Sequence, residues 1–188
     1  MTAQRPKVCV IGFQKTGTTS VAKALRILGC KTGQATARIA KDVDWTIADP
    51  SELIADIALD VLDGHDAVSD SPYCFVYDQV DARFAGTKFI LTTRSFESWL
   101  TSYRNFFPDG NNKLRRWMYG VDRLTGHEPR YKAVYEGQNA AIRAYFKDRP
   151  DDFIEMNLSQ GDGWQELVAF LGPSHLPPFP HMNRNAGP

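Results

Sequence analysis

Residues 12–20, Gly12-Phe-Gln-Lys15-Thr-Gly17-Thr18-Thr19-Ser20, bring two glycines, a lysine and four hydroxyl side chains into nine positions. An apolar run, Lys7-Val-Cys-Val-Ile-Gly-Phe13, leads into this stretch, and Val21, Ala24, Leu25 and Leu28 follow it at helical spacing. Between a strand and a helix, successive backbone N–H groups and the positive helix end hold a phosphate or a sulfate. A nucleotide-hydrolase loop reads GxxxxGK[ST], with its lysine directly after the second glycine. Here Thr18 follows Gly17 and the lysine comes two places earlier, at Lys15, which argues against an ordinary ATPase or GTPase. The plain alternative is a tight turn with a solvated lysine.

The order Lys15-Thr-Gly17-Thr18-Thr19 resembles the 5′-phosphosulfate-binding loop of the sulfotransferase superfamily, written PKxGTT. Gln14 stands where that pattern has proline, a departure that alters loop rigidity but leaves the donor groups in place. The superfamily follows a central strand with an arginine and, eight residues later, a serine. Here the run Lys88–Thr93 is followed by Arg94, and eight residues on stands Ser102. A third stretch, Gln160-Gly-Asp-Gly-Trp164 through Phe170-Leu-Gly172 to Pro177-Pro-Phe-Pro-His-Met-Asn183, is similar to the GW…FLG…PFPxxN segment of small sulfotransferase-like proteins, so the resemblance runs from residue 7 to 183. Trp164, Leu167, Phe170 and Leu171 also sit at the spacing of a core helix, while Gly161 and Gly163 could bring backbone close to a phosphate.

The resemblance implies transfer of a sulfuryl group from 3′-phosphoadenosine-5′-phosphosulfate (PAPS) to a hydroxyl or amine of a small-molecule or glycan acceptor, with 3′,5′-adenosine bisphosphate as product. Lys15 would neutralise the bridging oxygen, and Thr16, Gly17, Thr18, Thr19 and Ser20 would hold the 5′-phosphate. Arg94 and Ser102 would take the 3′-phosphate that separates PAPS from ATP, the arginine through its bidentate fork. No metal is implied. Superfamily members take a general base from the segment before the arginine strand, where Asp70 and His65 are available. Asp70 is favoured because it stands at a strand end on the same sheet edge as Lys15 and Arg94, with His65 on the opposite edge. An aspartate of ordinary pKa about 3.9 needs burial to become a base near neutrality. Asp70 could equally cap a turn, and His127, His175 and His181 read as surface residues.

These residues need a scaffold, and the chain supplies alternating strands and helices. Thr18–Leu28 reads as a helix ended by Gly29, and residues 31–45 as a loop or short helix. Asp49-Pro50-Ser51-Glu52 reads as a cap, a proline and an acid opening a helix that runs to Leu62. Asp66–Asp70 reads as a strand, Tyr77–Phe84 as a helix and Lys88–Thr93 as a strand. Ser95 caps a helix carrying Trp99, Leu100, Tyr103 and Phe106. A long helix then buries Tyr131, Val134, Tyr135, Ala141, Ile142 and Tyr145, followed by a strand over 152–158 and a helix over 164–171. The class is α/β, a mainly parallel sheet with helices on both faces, of the P-loop type.

The chain of 188 residues is the length of one domain, here 1–188, with a segment at 104–130 that reads as a lid or acceptor-binding insertion, or as an amphipathic helix with a solvated basic face. Lys and Arg number 22, as do Asp and Glu, so no global charge draws the chain to nucleic acid or an anionic membrane. Apolar stretches are too short to span a bilayer and the start lacks a signal-peptide pattern, so a soluble cytoplasmic protein is expected. Three scattered cysteines, Cys9, Cys30 and Cys74, suggest neither a disulfide scaffold nor a zinc site. Two other functions stay open. One is a divergent P-loop nucleotide kinase or hydrolase using Asp70 as a magnesium ligand; the other is a noncatalytic nucleotide-binding module. Oligomeric state is not indicated.

Overall fold

A computed structural model describes residues 6–172. The elements run β1 (Val8–Val10), α1 (Thr18–Ile27), β2 (Thr32–Gly33), α2 (Thr36–Asp42), α3 (Ser51–Asp63), β3 (Ala67–Ser69), α4 (Tyr73–Arg83), β4 (Lys88–Thr92), α5 (Phe96–Phe106), α6 (Lys113–Tyr119), α7 (Glu128–Tyr145), β5 (Phe153–Met156) and α8 (Trp164–Leu171). The five strands form one sheet in the order β2-β3-β1-β4-β5, and every pairing is parallel. Val8 pairs with Ala67 on one side and Lys88 on the other, so β1 is central and its carboxyl end lies between those of β3 and β4.

The two-residue period of a strand sends alternate side chains to opposite faces. Val8 and Val10 pack with Val21, Ala24 and Leu25 of α1 and with Trp164 and Leu167 of α8. Cys9 and Ile11 join the larger cluster with Ile54 and Ala58 of α3, Trp99 of α5 and Tyr131 and Tyr135 of α7. Both faces are therefore covered, which is why the strands read as continuous apolar runs. The α/β class and parallel sheet expected from the sequence are what the chain forms.

Several boundaries differ from those expected. Residues 31–45 hold an edge strand as well as a helix; β2 is two residues long and carries no readable period. Helix α3 begins at Ser51, with Pro50 at its N-cap position. Asp49 closes the turn before it by accepting from the Ser51 N–H (3.0 Å) and Oγ (2.5 Å). Helix α4 starts at Tyr73, four residues early, and Val76 interrupts it with φ −124°. On α7, Ala141 and Tyr145 face solvent, and Asn139 takes a place on the buried side. In the 104–130 segment, α6 buries Met118 and Tyr119 as well as Arg115, whose Nη1 donates to the Pro108 carbonyl; Lys113, Arg116 and Arg123 stay exposed. The Pro177–Asn183 motif, His175 and His181 lie outside the described residues. Among the described residues, no helix is long and apolar enough to cross a membrane.

Candidate functional site

The loop after β1 lies flat on the end of β4. A Cβ on Gly12 would stand 2.0 Å from Thr92 Oγ1, so only glycine fits there. Thr16 Oγ1 donates to the Phe13 carbonyl (2.6 Å) and meets Thr92 Oγ1 at 2.6 Å, and the Thr16 N–H also turns back to Phe13. The Thr16 hydroxyl and N–H thus brace the loop from within, and the residue also lines the cavity described below. Lys15 (φ 71°) and Gly17 (φ 109°) turn the chain through left-handed backbone into α1. The Gly17 carbonyl accepts from the Ser20 and Val21 N–H groups. By their place at the helix start, the N–H groups of Gly17, Thr18 and Thr19 have no carbonyl within α1 to bind. No acid occupies that first turn, so the positive end of α1 opens onto the cavity uncompensated.

Gln14 is buried and tied on three sides. Its Nε2 donates to Tyr119 Oη (2.8 Å), its Oε1 accepts from Ser71 Oγ (2.9 Å), and its carbonyl accepts from Trp99 Nε1 (2.8 Å). Where the superfamily pattern fixes the loop with a proline ring, this chain fixes it with hydrogen bonds.

Asp70 ends β3 with φ 77°, and its Oδ1 accepts from the Ser71 N–H at 2.8 Å. Burial raises its pKa above the ordinary carboxylate range, while the Ser71 N–H and the Lys15 charge draw it back. Burial lowers the pKa of Lys15; Asp70 opposes that shift and Arg94 adds to it. The Lys15 ammonium sits 3.6 Å from the ring centroid of Phe106, an exposed aromatic at the end of α5.

Arg94 follows β4. Its Nη1 donates to the Lys15 carbonyl (3.1 Å) and its Nη2 to Ser98 Oγ (2.5 Å), while its buried Nε has no hydrogen-bond partner. Tyr135 Oη accepts from the Arg94 N–H (3.4 Å) and donates to its carbonyl (2.9 Å), holding the backbone at the strand end. Ser102, one turn beyond Ser98, lines the same cavity without bonding the guanidinium.

Nine of the residues singled out from the sequence, Lys15 to Ser20 together with Asp70, Arg94 and Ser102, line one cavity of about 610 Å³. Gln14, Ser98, Thr101, Phe106, Phe107, Leu158 and Ser159 are lining residues that the motifs did not pick out. Ser98 was findable, since it stands four residues from Arg94 on the helix that Ser95 caps. Gly161 and Gly163 do not line the cavity, and the Gly163 N–H is taken by Glu166 Oε2 at 2.7 Å. His65 stands before β3, at the end away from Asp70, with Nδ1 2.6 Å from the Val61 carbonyl. Among the described residues, no group of three or more His, Cys, Asp or Glu side chains could hold a metal ion.

Comparison with known proteins bears on this geometry. A family model described as "Sulfotransferase domain" matches residues 7–131 and 110–187. "Ava biosynthesis cluster protein M" of Aspergillus versicolor is 28% identical over 154 residues, covering 68% of this chain, and the matched part is 57% of that relative's own length. Among solved structures, a shikimate kinase from Acinetobacter baumannii in complex with shikimate superposes with a TM-score of 0.40 at 14% identity, covering 78% of this chain and 96% of that one. With the family match extending over most of the sequence and across the loop, the strand-end arginine and the helix that follows it, the chain belongs to the sulfotransferase-domain family.

Proposed function

We propose that this protein is a PAPS-dependent sulfotransferase acting on a hydroxyl or amine of a small-molecule or glycan acceptor. The observation that carries the reading is the convergence of Lys15, Asp70 and Arg94, from the ends of three adjacent strands, on one cavity beside the N-terminus of α1. PAPS supplies a sulfuryl group joined through a bridging oxygen to the 5′-phosphate, and it carries a second anionic group at the 3′ position.

The residues present suit such a molecule. Lys15 and Arg94 offer two separate cationic sites, the start of α1 offers N–H donors, and Arg94 Nε is a donor still lacking an acceptor. Gly17, Thr18 and Thr19 would bind the 5′-phosphate through backbone N–H groups, with Ser20 nearby and Thr16 bracing the loop. Lys15 would neutralise charge on the leaving oxygen, and Arg94 with Ser102 would bind the 3′-phosphate. Asp70 would accept the acceptor's proton, a role helped by the burial that raises its pKa. Phe106 and Phe107, from the start of the 104–130 segment, would form one wall for the acceptor. Charge neutralisation by lysine and the helix end leaves no step that needs a metal ion.

Calorimetric titration with 3′,5′-adenosine bisphosphate and with ADP, both without magnesium, tests this reading. The expected result is a preference of about tenfold or more, about 1.4 kcal/mol, for the bisphosphate. Equal affinities, or binding only when magnesium is added, would overturn it in favour of a nucleotide kinase or hydrolase.

A further inference from the structure

Lys15 and Asp70 both hold left-handed backbone, a state that persists for a non-glycine residue only when its surroundings over-determine it. Gln14 is the chain neighbour of Lys15, and Ser71 is the chain neighbour of Asp70. A single buried hydrogen bond, Ser71 Oγ–H to Gln14 Oε1 at 2.9 Å, joins these two segments across 57 residues of sequence. Beyond it the network continues in both directions. Gln14 Nε2 donates to Tyr119 Oη on α6, and the Ser71 N–H donates to the Asp70 carboxylate. Gln14 lines the cavity, but its side-chain amide and its carbonyl are bound to protein groups.

We propose that Gln14 is a positioning residue, whose side-chain amide clamps the Lys15 loop to the Ser71 turn and so sets the direction of the Asp70 carboxylate relative to the Lys15 ammonium. The proposal rests on the sulfotransferase reading only for its catalytic meaning; the clamp itself is a property of the protein without ligand. An apolar side chain at position 14 would leave the buried hydroxyls of Ser71 and Tyr119 without their partner and free the turn that presents the Ser71 N–H. The carboxylate would then lose part of the hydrogen bond that favours its ionised form. The charged group that acts on Asp70 is Lys15, from the loop after β1; the Cys74 thiol of α4, itself raised by burial and by the Asp70 charge, stays neutral where the carboxyl titrates, and both remain in the variants below.

The test is the titration of Asp70 by carbon-13 NMR in protein labelled at the aspartate carboxyls, with no nucleotide present and with the signal assigned by its loss in Asp70→Asn. Gln14→Met keeps the bulk of the side chain and removes the amide, and it should raise the Asp70 midpoint by about half a unit or more. Tyr119→Phe removes only the far partner and should move the midpoint the same way by less. Adding Ser71→Ala to Gln14→Met should add nothing further, as expected of groups acting through one network. An unmoved Asp70 midpoint in folded Gln14→Met and Tyr119→Phe would overturn the clamp, as would an unmoved midpoint in Tyr119→Phe alone should Gln14→Met fail to fold. Failure of the unaltered protein to prefer the bisphosphate would overturn the proposed donor and leave the Asp70 result standing.

Discussion

Lys15 and Asp70, 55 positions apart in sequence, are the two non-glycine residues of the described chain in left-handed backbone, and they line the same cavity at the ends of adjacent strands. Each such conformation costs about 1–3 kcal/mol, so the fold holds its strain where the candidate chemistry sits. Burial shifts their pKa values toward each other, the lysine down and the aspartate up, while their mutual attraction opposes both shifts. A carboxylate that accepts a proton more easily suits a general base, while the Asp70 charge opposes the loss of the Lys15 proton and so favours the ammonium form.

Arg94→Ala should abolish discrimination between 3′,5′-adenosine bisphosphate and ADP, bringing the two affinities within about twofold of each other. Ser98→Ala should weaken bisphosphate binding less, since it frees one arm of the guanidinium without removing it. Calorimetry on both variants, without magnesium, measures the difference.

Asp70→Asn should preserve the fold, because asparagine tolerates left-handed backbone and its carbonyl can still accept from the Ser71 N–H. Sulfuryl transfer should fall by about a hundredfold or more while bisphosphate binding stays. The stability effect has a definite sign. A carboxyl whose folded pKa is raised contributes most below its ordinary value, and that contribution is lost as pH rises through the raised one. The variant should therefore melt above the parent at about pH 7, and the gap should shrink as pH falls toward about 4. Thermal melts across that range decide the matter.

Gly12→Ala should destabilise the protein by about 3 kcal/mol or more, because the added methyl meets Thr92 Oγ1 and the Thr92 carbonyl, at 2.0 and 2.6 Å, and neither belongs to a flexible side chain that could move away. Gly110→Ala, with nothing within 4 Å of the new carbon, should change stability by no more than about 0.5 kcal/mol. Urea unfolding of the pair compares a packed glycine with an open one.

Far from the cavity, Asp81 receives both arms of Arg149 (2.5 and 2.9 Å) and the Tyr145 hydroxyl (2.8 Å). The Arg149 hydrogen bonds hold its pKa below the ordinary value. That stabilisation is present above the ordinary pKa and disappears as pH falls through the depressed one. Asp81→Asn should cost about 2 kcal/mol at neutral pH, with the loss narrowing as pH falls below the ordinary aspartate value of about 3.9; urea midpoints at neutral and acid pH check it.

The sequence made the sheet class, the glycine loop between β1 and α1 and the Arg94 helix legible because each rests on a local pattern: an apolar run, glycine spacing, a serine cap. Helix α8 appears over the residues expected, Trp164 to Leu171, for the same reason. What escaped depends on distant partners. Strand β2 exists only because Thr32 and Gly33 pair with Ala67 and Val68, and no two-residue segment announces that. Thr16 reads as a phosphate ligand, and the brace its hydroxyl makes against Thr92 shows only in the fold. Gln14 reads as a departure from a motif, and its function as a tie becomes visible only once Ser71, Trp99 and Tyr119 surround it. Arg115 shows the converse: its charge suggested a solvated face, but the Pro108 carbonyl and the rings of Tyr103 and Phe107 hold it buried.

The central place of β1 in the sheet also dictates when the site can come into being. This strand is made before either of its neighbours, because β3 and β4 belong to later stretches of the chain. On the ribosome, the loop at residues 12–20 emerges long before Thr92, on whose hydroxyl and carbonyl Gly12 closely packs. A nascent chain halted before β4 therefore carries all of residues 12–20 without the strand end that Gly12 packs against. The cavity that this loop shares with Arg94 must wait for the fourth strand, so the loop's sequence in a truncated product does not carry the folded arrangement with it.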